Sequence, residues 1–252
     1  MAKIIALTNQ KGGVGKTTTA VNLAAALKNY GKSVLLCDFD PQGNATSGFG
    51  IEPMELKESI YEVLVADTDI KKAIVSTEWV DVLGSNVNLA GAEIDLISLE
   101  NREYRLKSVL DQVRDDYDYI IIDCPPSLGI LTINCLCAAD SFIVPLQCEY
   151  YALEGLSQLI STVKAIQKRF NPEIKLEGIV LTMFDGRTNL SLQVVEEVKT
   201  HFAKKVFSSV IPRNVRLSEA PSHGKPINEY DPFSKGAHAY QELAEEFLKR
   251  QV

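Results

Sequence analysis

The feature that most constrains the fold is a glycine-rich octet between an apolar run and a helical pattern. Residues 11–18 read Lys-Gly-Gly-Val-Gly-Lys-Thr-Thr and follow the apolar segment Ile4–Thr8. Glycines let successive backbone N–H groups turn inward on an anion, and the helix that begins here adds the positive end of its dipole. The octet departs from the G-x-x-x-x-G-K-[ST] pattern, because Gln10 stands where the first glycine normally lies. It still predicts a phosphate-binding loop, in which Lys16 reaches the β- and γ-phosphates and the Thr17 hydroxyl ligates Mg²⁺.

Apolar runs that read as strands alternate with helical patterns along the whole chain. The predicted strands are Ile4–Thr8, Ser33–Asp38, Val80–Gly84, Tyr119–Asp123, Ser141–Leu146, Leu176–Met183 and Val206–Ile211. The predicted helices include Thr17–Tyr30, Arg102–Asp115, Leu153–Phe170, Ser191–Phe202 and Ala237–Arg250. This alternation predicts an α/β fold, a single-domain, doubly wound, mainly parallel sheet with helices on both faces, over residues 1–252. Ligands of such sheets bind beyond the carboxyl ends of the strands.

Composition predicts a cytoplasmic globular protein. Hydrophobic residues make up 46% and charged residues 23% of the 252 positions, an ordinary balance for a folded domain. We find no apolar run near the ~20 residues that a membrane span needs, and no signal peptide at the N-terminus. The five cysteines are odd in number and lie in apolar segments, so we expect buried, reduced thiols.

The charge is distributed unevenly along the chain. Residues 1–159 hold 12 Lys and Arg against 22 Asp and Glu, whereas residues 160–252 hold 14 against 11, within a total of −7. The total argues mildly against nucleic acid as a partner, but the positive second half is a reason to look for a basic face. Scattered surface lysines would give the same count, so the asymmetry alone establishes no such face.

Two lysines that bracket Gly-Gly-Val-Gly resemble the deviant Walker A family of P-loop NTPases. Three further motifs resemble the chromosome-type ParA/Soj members of that family. They are Asp38-Phe39-Asp40-Pro41-Gln42-Gly43-Asn44-Ala45-Thr46, Asp123-Cys124-Pro125-Pro126-Ser127-Leu128-Gly129, and Pro212-Arg213-Asn214-Val215-Arg216-Leu217-Ser218-Glu219-Ala220-Pro221-Ser222. The resemblance covers essentially the whole chain and implies an ATPase with ATP and Mg²⁺ as cofactors. The nucleotide-binding residues that it implies are Lys11, Gly12, Gly13, Val14, Gly15, Lys16, Thr17, Thr18, Pro212 and Arg213.

The resemblance also implies catalytic and metal-binding roles. Lys11, Lys16 and Asp40 are the expected catalytic residues, with Lys11 reaching across a dimer to the ATP of the other subunit. Asp40 follows the second strand, where it can orient the attacking water, and Asp123 ends a strand, where it can hold Mg²⁺ through water. The expected metal-binding residues are thus Thr17, Asp40 and Asp123. An Asp at a strand end is otherwise most often a cap or turn residue.

DNA is the partner that the resemblance implies for the second half. Arg187 and Arg216 are expected to contact phosphates of double-stranded DNA without sequence preference, since no helix-turn-helix pattern precedes the octet. The family forms a homodimer on binding ATP, and a bare backbone at Gly12 would allow two loops to approach closely. Intrinsic hydrolysis is expected to be weak until a ParB/Spo0J-type partner stimulates it. The implied role is chromosome or plasmid partition at the nucleoid.

Two alternatives compete with the partition ATPase. A MinD-like membrane-associated regulator would need a C-terminal helix with a basic face and bulky apolar residues. Residues Tyr240–Val252 instead have an acidic polar face, which predicts packing on the chain's own domain and no membrane binding. An iron–sulfur carrier would place a cysteine pair near the C-terminus, and no cysteine lies beyond Cys148.

Overall fold

A seven-stranded sheet with helices on both faces forms the protein in the computed structural model, which describes residues 1–251. The strands are β1 (Lys3–Leu7), β2 (Val34–Asp38), β3 (Ile74–Ser76), β4 (Asp81–Leu83), β5 (Tyr119–Asp123), β6 (Ser141–Gln147) and β7 (Lys175–Thr182). The helices are α1 (Lys16–Asn29), α2 (Asn44–Ser47), α3 (Ile60–Val65), α4 (Ile70–Ala73), α5 (Leu89–Asp95), α6 (Arg105–Leu110), α7 (Ile130–Ala138), α8 (Ala152–Arg169), α9 (Asn189–Phe202), α10 (Val215–Glu219), α11 (Ile227–Tyr230) and α12 (Lys235–Lys249).

The sheet is parallel except at one edge. Its strand order is β3-β4-β2-β5-β1-β6-β7, and only the β3–β4 pair is antiparallel. Side chains of β1 alternate between the two faces, with Ile4 and Ala6 in one core cluster and Ile5 and Leu7 in the other. Burial on both faces explains why the strands read as continuous apolar runs. The predicted doubly wound α/β fold is therefore confirmed.

The predicted strand Val206–Ile211 is wrong. This segment runs beside β7 but forms no continuous ladder with it: one isolated bridge joins Val206 to Ile179, and the Phe207 and Ile211 N–H groups donate to the Ile179 and Leu181 carbonyls. The backbone N–H groups of Ser208 and Ser209 donate to the Glu246 carboxylate, each at 2.9 Å, instead of to a neighbouring strand. A side chain from α12 thus takes the donors that a regular ladder would use.

One predicted helix needs correction, and one strand was missed. The predicted helix Arg102–Asp115 is a 3-10 turn over Arg102–Tyr104 followed by α6, which ends at Leu110. The edge strand β3 was not predicted, because its three residues are too short for a pattern. The prediction for the cysteines is confirmed, since all five are free and buried.

Helix α12 packs on the chain's own core, as predicted for the C-terminal stretch. Its apolar face is buried against the side of the sheet that α1 also covers, and the Tyr240 hydroxyl lies 3.1 Å from the Thr19 hydroxyl. Within residues 1–251, no helix combines the length and the apolar character needed to cross a bilayer.

Candidate nucleotide site

The glycine-rich octet forms a tight loop between β1 and α1, as predicted. Gly13 and Gly15 have φ angles of 73° and 86°, which side chains rarely tolerate. Nothing lies within 4 Å of the position that a Cβ on Gly12 would occupy. The loop therefore offers backbone N–H groups to an anion and presents a bare surface at Gly12.

Strands β6 and β7, which lie on the same side of β1 in the sheet, hold this loop in place. The Asn9 amide donates to the Pro145 carbonyl at 2.8 Å, and the Asn9 side-chain oxygen accepts from the backbone N–H of Lys11 at 3.0 Å. The Thr182 hydroxyl at the end of β7 donates to the Val14 carbonyl at 2.8 Å. The loop is thereby tied to β6 and β7, which fixes its shape before any ligand binds.

Lys16 fills the inside of the loop. Its side chain is buried, and its ammonium donates to the Lys11 carbonyl at 3.3 Å. Burial lowers the pKa of Lys16, while the nearby Asp123, Cys124 and Asp40 act in the opposite direction. A polyanion placed in the loop would meet this desolvated cation at close range.

Two carboxylates end adjacent strands beside the loop. Asp38 of β2 and Asp123 of β5 are opposite each other in the strand register, and both are fully buried. Neither carboxylate oxygen of Asp123 has a hydrogen-bond partner of normal geometry. Burial, reinforced by the charge of Asp38, raises the pKa of Asp123 well above its usual range, although Thr17 and Lys16 partly oppose the rise. An unpaired buried carboxylate next to Thr17 fits a bound cation.

The protein alone offers few ligands for such a cation. Among residues 1–251, no three His, Cys, Asp or Glu side chains form a complete metal site. Mg²⁺ usually keeps several waters and binds through one or two carboxylates plus substrate phosphates. Thr17 and Asp123 therefore fit Mg²⁺ that arrives with a nucleotide. Asp40 is mostly buried and lies two residues beyond the end of β2.

Asp38 belongs to a hydrogen-bond network that the sequence did not reveal. One Asp38 oxygen accepts from the Thr46 backbone N–H at 2.8 Å and from the Thr46 hydroxyl at 2.7 Å, and the other accepts from the Asp40 backbone N–H at 3.1 Å. The Thr46 hydroxyl in turn accepts from the Ser85 backbone N–H at 3.0 Å. Burial raises the pKa of Asp38 to about 6, although these hydrogen bonds act against the rise. The network fixes the backbone at Asp40.

A cavity of about 870 Å³ opens beside the loop, a size that suits a nucleotide. Gly15, Thr17, Thr18, Pro212 and Arg213 all line this cavity, so the structure brings these five predicted residues together. The sequence did not point to several other lining residues, which are Asn22, Asn44, Ser47, Met183 and Tyr240.

Two segments that contribute Gly48 and Ser222 to the lining of this cavity cross at a pair of glycines. Gly50 follows α2 and Gly224 ends the 3-10 turn Ala220–His223, and both have positive φ angles, 75° and 62°. A Cβ on Gly224 would lie 2.5 Å from the Gly50 Cα atom. The two segments therefore cross with their backbones in contact.

Lys11 is directed away from its own loop. Its ammonium forms an ion pair with Glu149, just beyond the end of β6, and its side chain is 52% exposed. The sequence did not predict Glu149 as a partner. The two lysines of the octet thus differ, because Lys16 lies inside the loop and Lys11 lies at its outer rim.

The two arginines proposed for DNA lie on neighbouring segments, Arg187 in the loop after β7 and Arg216 in the short helix α10. Arg187 follows β7, and an isolated bridge between Phe184 and Pro212 joins this loop to the one that leads to Arg216. The Arg187 side chain is 89% exposed and pairs with Asp185, which leaves most of its surface open. Arg216 is 54% exposed and pairs with two acidic residues, Glu219 and Asp231.

A phosphate-binding loop after the first strand of a mainly parallel sheet, with carboxylates ending the next two strands on one side of it, defines a P-loop nucleoside triphosphatase. Comparison with known proteins narrows the class. The family model described as an AAA domain matches residues 2–176. The sporulation initiation inhibitor protein Soj of Bacillus subtilis is 61% identical over 98% of this chain and 98% of its own length.

Two further comparisons give matches that span nearly the whole of this chain. The chromosome partitioning protein ParA of Myxococcus xanthus is 54% identical over 99% of this chain and 89% of its own length. A solved structure named cobyrinic acid a,c-diamide synthase from Mycobacterium smegmatis, with bound ATP analog and magnesium, has a TM-score of 0.88 and 41% identity over 100% of this chain and 96% of that chain. The chain belongs to the ParA/Soj family of chromosome-partitioning ATPases.

Proposed function

We propose that one ATPase domain spanning residues 1–252 works as a dimerising switch in chromosome partition. ATP joins two subunits, the dimer binds double-stranded DNA without sequence preference, and hydrolysis releases it. Hydrolysis is slow until a ParB-type partner stimulates it. The observation that carries this proposal is the outward direction of Lys11 and its pairing with Glu149, while Lys16 alone fills the loop.

The nucleotide would bind in the loop and the adjoining cavity. Lys16 and the loop N–H groups would hold the phosphates, and Pro212 and Arg213 would lie near the base. Bound Mg²⁺ supplies charge neutralisation at the phosphates, and Thr17 and Asp123 would hold it. Asp40 would orient the attacking water, since the Asp38 network fixes the start of its loop.

Dimerisation would complete the site. Lys11 would leave Glu149 and reach the phosphates of the other subunit, where it supplies positive charge that each subunit lacks by itself. The open space around Gly12 favours the close approach that this requires. A monomer would then hydrolyse ATP slowly, because its site lacks one cation.

Arg187 and Arg216 would contact DNA phosphates. Two arginines from each of two subunits would neutralise about four phosphates, which gives a slope of about −4 in a plot of log affinity against log salt. A monomer contributes half of these contacts, so ATP would control DNA affinity through bivalency. The buried apolar face of α12 argues against the alternative in which this helix binds a membrane.

The test measures binding of the Asp40→Ala protein to random-sequence duplex DNA, with ATP and with ADP, over a salt series. We expect tight binding with ATP only, weakening steeply as salt rises, since the variant retains ATP without hydrolysing it. Lys16→Ala is the control and should bind weakly with either nucleotide. Equal affinity and equal salt slope with ATP and ADP would refute the DNA switch.

A further inference from the structure

Helix α5 carries a stripe of exposed apolar side chains on its outer face. Val87, Ala90, Ile94 and Ile97 are spaced as i, i+3, i+7 and i+10, and all four are exposed. Asn88 and Leu96, which flank α5, also have helical backbone angles. The spacing of the four exposed residues therefore places their side chains on one side of the helix. Val87 is 60%, Ile94 74% and Ile97 63% exposed. We call these four residues the α5 stripe.

The stripe is not needed for the core. The opposite side of the same helix already buries Leu89, Ala92 and Leu96 completely, in contact with the main core cluster. A helix of a globular protein normally has one apolar side, and the second one here faces water. Contiguous exposed apolar side chains of this kind mark sites of interaction with another molecule.

Three carboxylates near the stripe in sequence form no ion pair within residues 1–251. Residues 85–101 contain Glu93, Asp95 and Glu100 but no Lys or Arg. None of these three carboxylates takes part in a salt bridge among the described residues. The nearest arginine, Arg102, pairs with Glu103 and donates to the Ile97 carbonyl. The charge of this surface is therefore complementary to a basic partner.

Glu93 of α5, next to the stripe, contacts the loop that follows Asp123. A Cβ built on Gly129 would lie 2.5 Å from a carboxylate oxygen of Glu93, so Glu93 touches the residue that begins α7. Gly129 closes the short loop that starts after Asp123, the buried carboxylate beside Thr17. A molecule seated on the stripe would contact Glu93 and, through it, this loop.

We propose that the α5 stripe docks a short basic amphipathic segment of a partner protein. The partner's apolar side chains would cover Val87, Ile94 and Ile97, and its Lys or Arg residues would pair with the three carboxylates. A second copy of this chain placed with the same surface against the stripe would bring like charges together, which disfavours self-association there. The inference rests on the proposed function, since the segment would belong to the ParB-type partner.

Photo-cross-linking tests the location directly. All five native cysteines are buried, so Ile94→Cys introduces an accessible thiol for benzophenone maleimide. Leu192→Cys, 45% exposed on α9, is the matched control. With ATP and a fluorescein-labelled basic amphipathic peptide from a ParB-type protein as probe, we expect an adduct at position 94 and none at position 192. Equal adducts at both positions, no adduct at 94, or an adduct with a second copy of this chain would each overturn the proposal.

Partner-stimulated hydrolysis provides the second readout. We expect Ile94→Ser/Ile97→Ser to weaken peptide binding at least about tenfold, because anchors of this kind dominate small interfaces. Glu93→Lys/Glu100→Lys should weaken it similarly, whereas the control Glu173→Lys, exposed in the loop before β7, should not. Unchanged peptide affinity in both double variants would refute the docking surface.

The same variants separate this inference from the proposed function. ATP-dependent DNA binding should remain within about twofold of the native protein in both double variants, since none of the four substituted residues is among those proposed to bind nucleotide or DNA. If the native protein shows neither ATP-dependent DNA binding nor stimulation by the peptide, the proposed function fails. If both are present and the stripe variants respond normally, only the docking surface fails.

Discussion

Replacing Thr46 with valine tests whether the network around Asp38 stabilises the fold. Thr46 is completely buried, and its hydroxyl joins the Asp38 carboxylate at 2.7 Å to the Ser85 backbone N–H at 3.0 Å. Valine has nearly the same shape, so Thr46→Val removes both hydrogen bonds while keeping the packing. The backbone bond from Thr46 to Asp38 remains.

The expected loss of stability follows from the two hydrogen bonds that the substitution removes. A hydrogen bond to a charged group contributes about 1.5 to 3 kcal/mol and a neutral one about 1 kcal/mol, and a buried partner left unpaired keeps its desolvation cost. We therefore expect Thr46→Val to lower the free energy of unfolding by about 3 kcal/mol. For a chain of this size that corresponds to a Tm lower by about 6 to 12 °C.

Urea denaturation and calorimetry of the purified variant measure both quantities. Thr46→Ser keeps the hydroxyl and loses one methyl group, so it should cost only about 1 kcal/mol. Thr200→Val is a surface control, because the Thr200 hydroxyl bonds only the carbonyl one turn earlier in α9 and should change stability by less than about 0.5 kcal/mol. A Thr46→Val protein within 0.5 kcal/mol of the native protein, a threshold on the order of the surface effects, would refute this account.

Three further predictions concern the rims of the loop and the cavity. Gly12→Val should retain ATP affinity but not dimerise with ATP, as measured by analytical ultracentrifugation with bound labelled nucleotide, and a normal ATP dimer would contradict the close approach of two loops. Glu149→Gln should lower the ATP concentration needed for half-maximal dimerisation by up to about fivefold, because the half-exposed Lys11 pair is worth about 1 kcal/mol at most. An increase would mean that Glu149 acts in the dimer rather than before it. Gly224→Ala should lower the free energy of unfolding by about 2 kcal/mol or more, since its Cβ meets the Gly50 backbone, and chemical denaturation with no change would show that the crossing relaxes without cost.

Local patterns predicted the centre of the site. The octet, the strand that ends at Asp123 and the helix that begins at Lys16 all follow from short-range signals, namely glycine spacing and a continuous apolar run. Pro212 and Arg213 were expected at the nucleotide through resemblance alone, and they line the same cavity as Thr17.

Contacts between distant segments could not be predicted in this way. The pairing of Lys11 with Glu149 and the bond from Ser85 to Thr46 depend on how separate loops meet above the sheet, which no local pattern encodes. The wrongly predicted strand Val206–Ile211 shows that a distant contact can also override a local pattern. Its apolar pattern is that of a strand, but Glu246, far away in the sequence, takes the N–H groups that a ladder needs.

The crossing of Gly50 over Gly224 has a consequence for how this protein distinguishes nucleotides. The two backbones already touch there, so no entropy of ordering this crossing would be lost when a nucleotide binds. ATP and ADP share the base and the ribose, so the crossing would contribute equally to the affinity for both. We therefore expect the protein to distinguish them at the phosphate end, where Lys11 would exchange Glu149 for a phosphate group. The base would set how tightly a nucleotide is held, and the third phosphate alone would set which state the protein adopts.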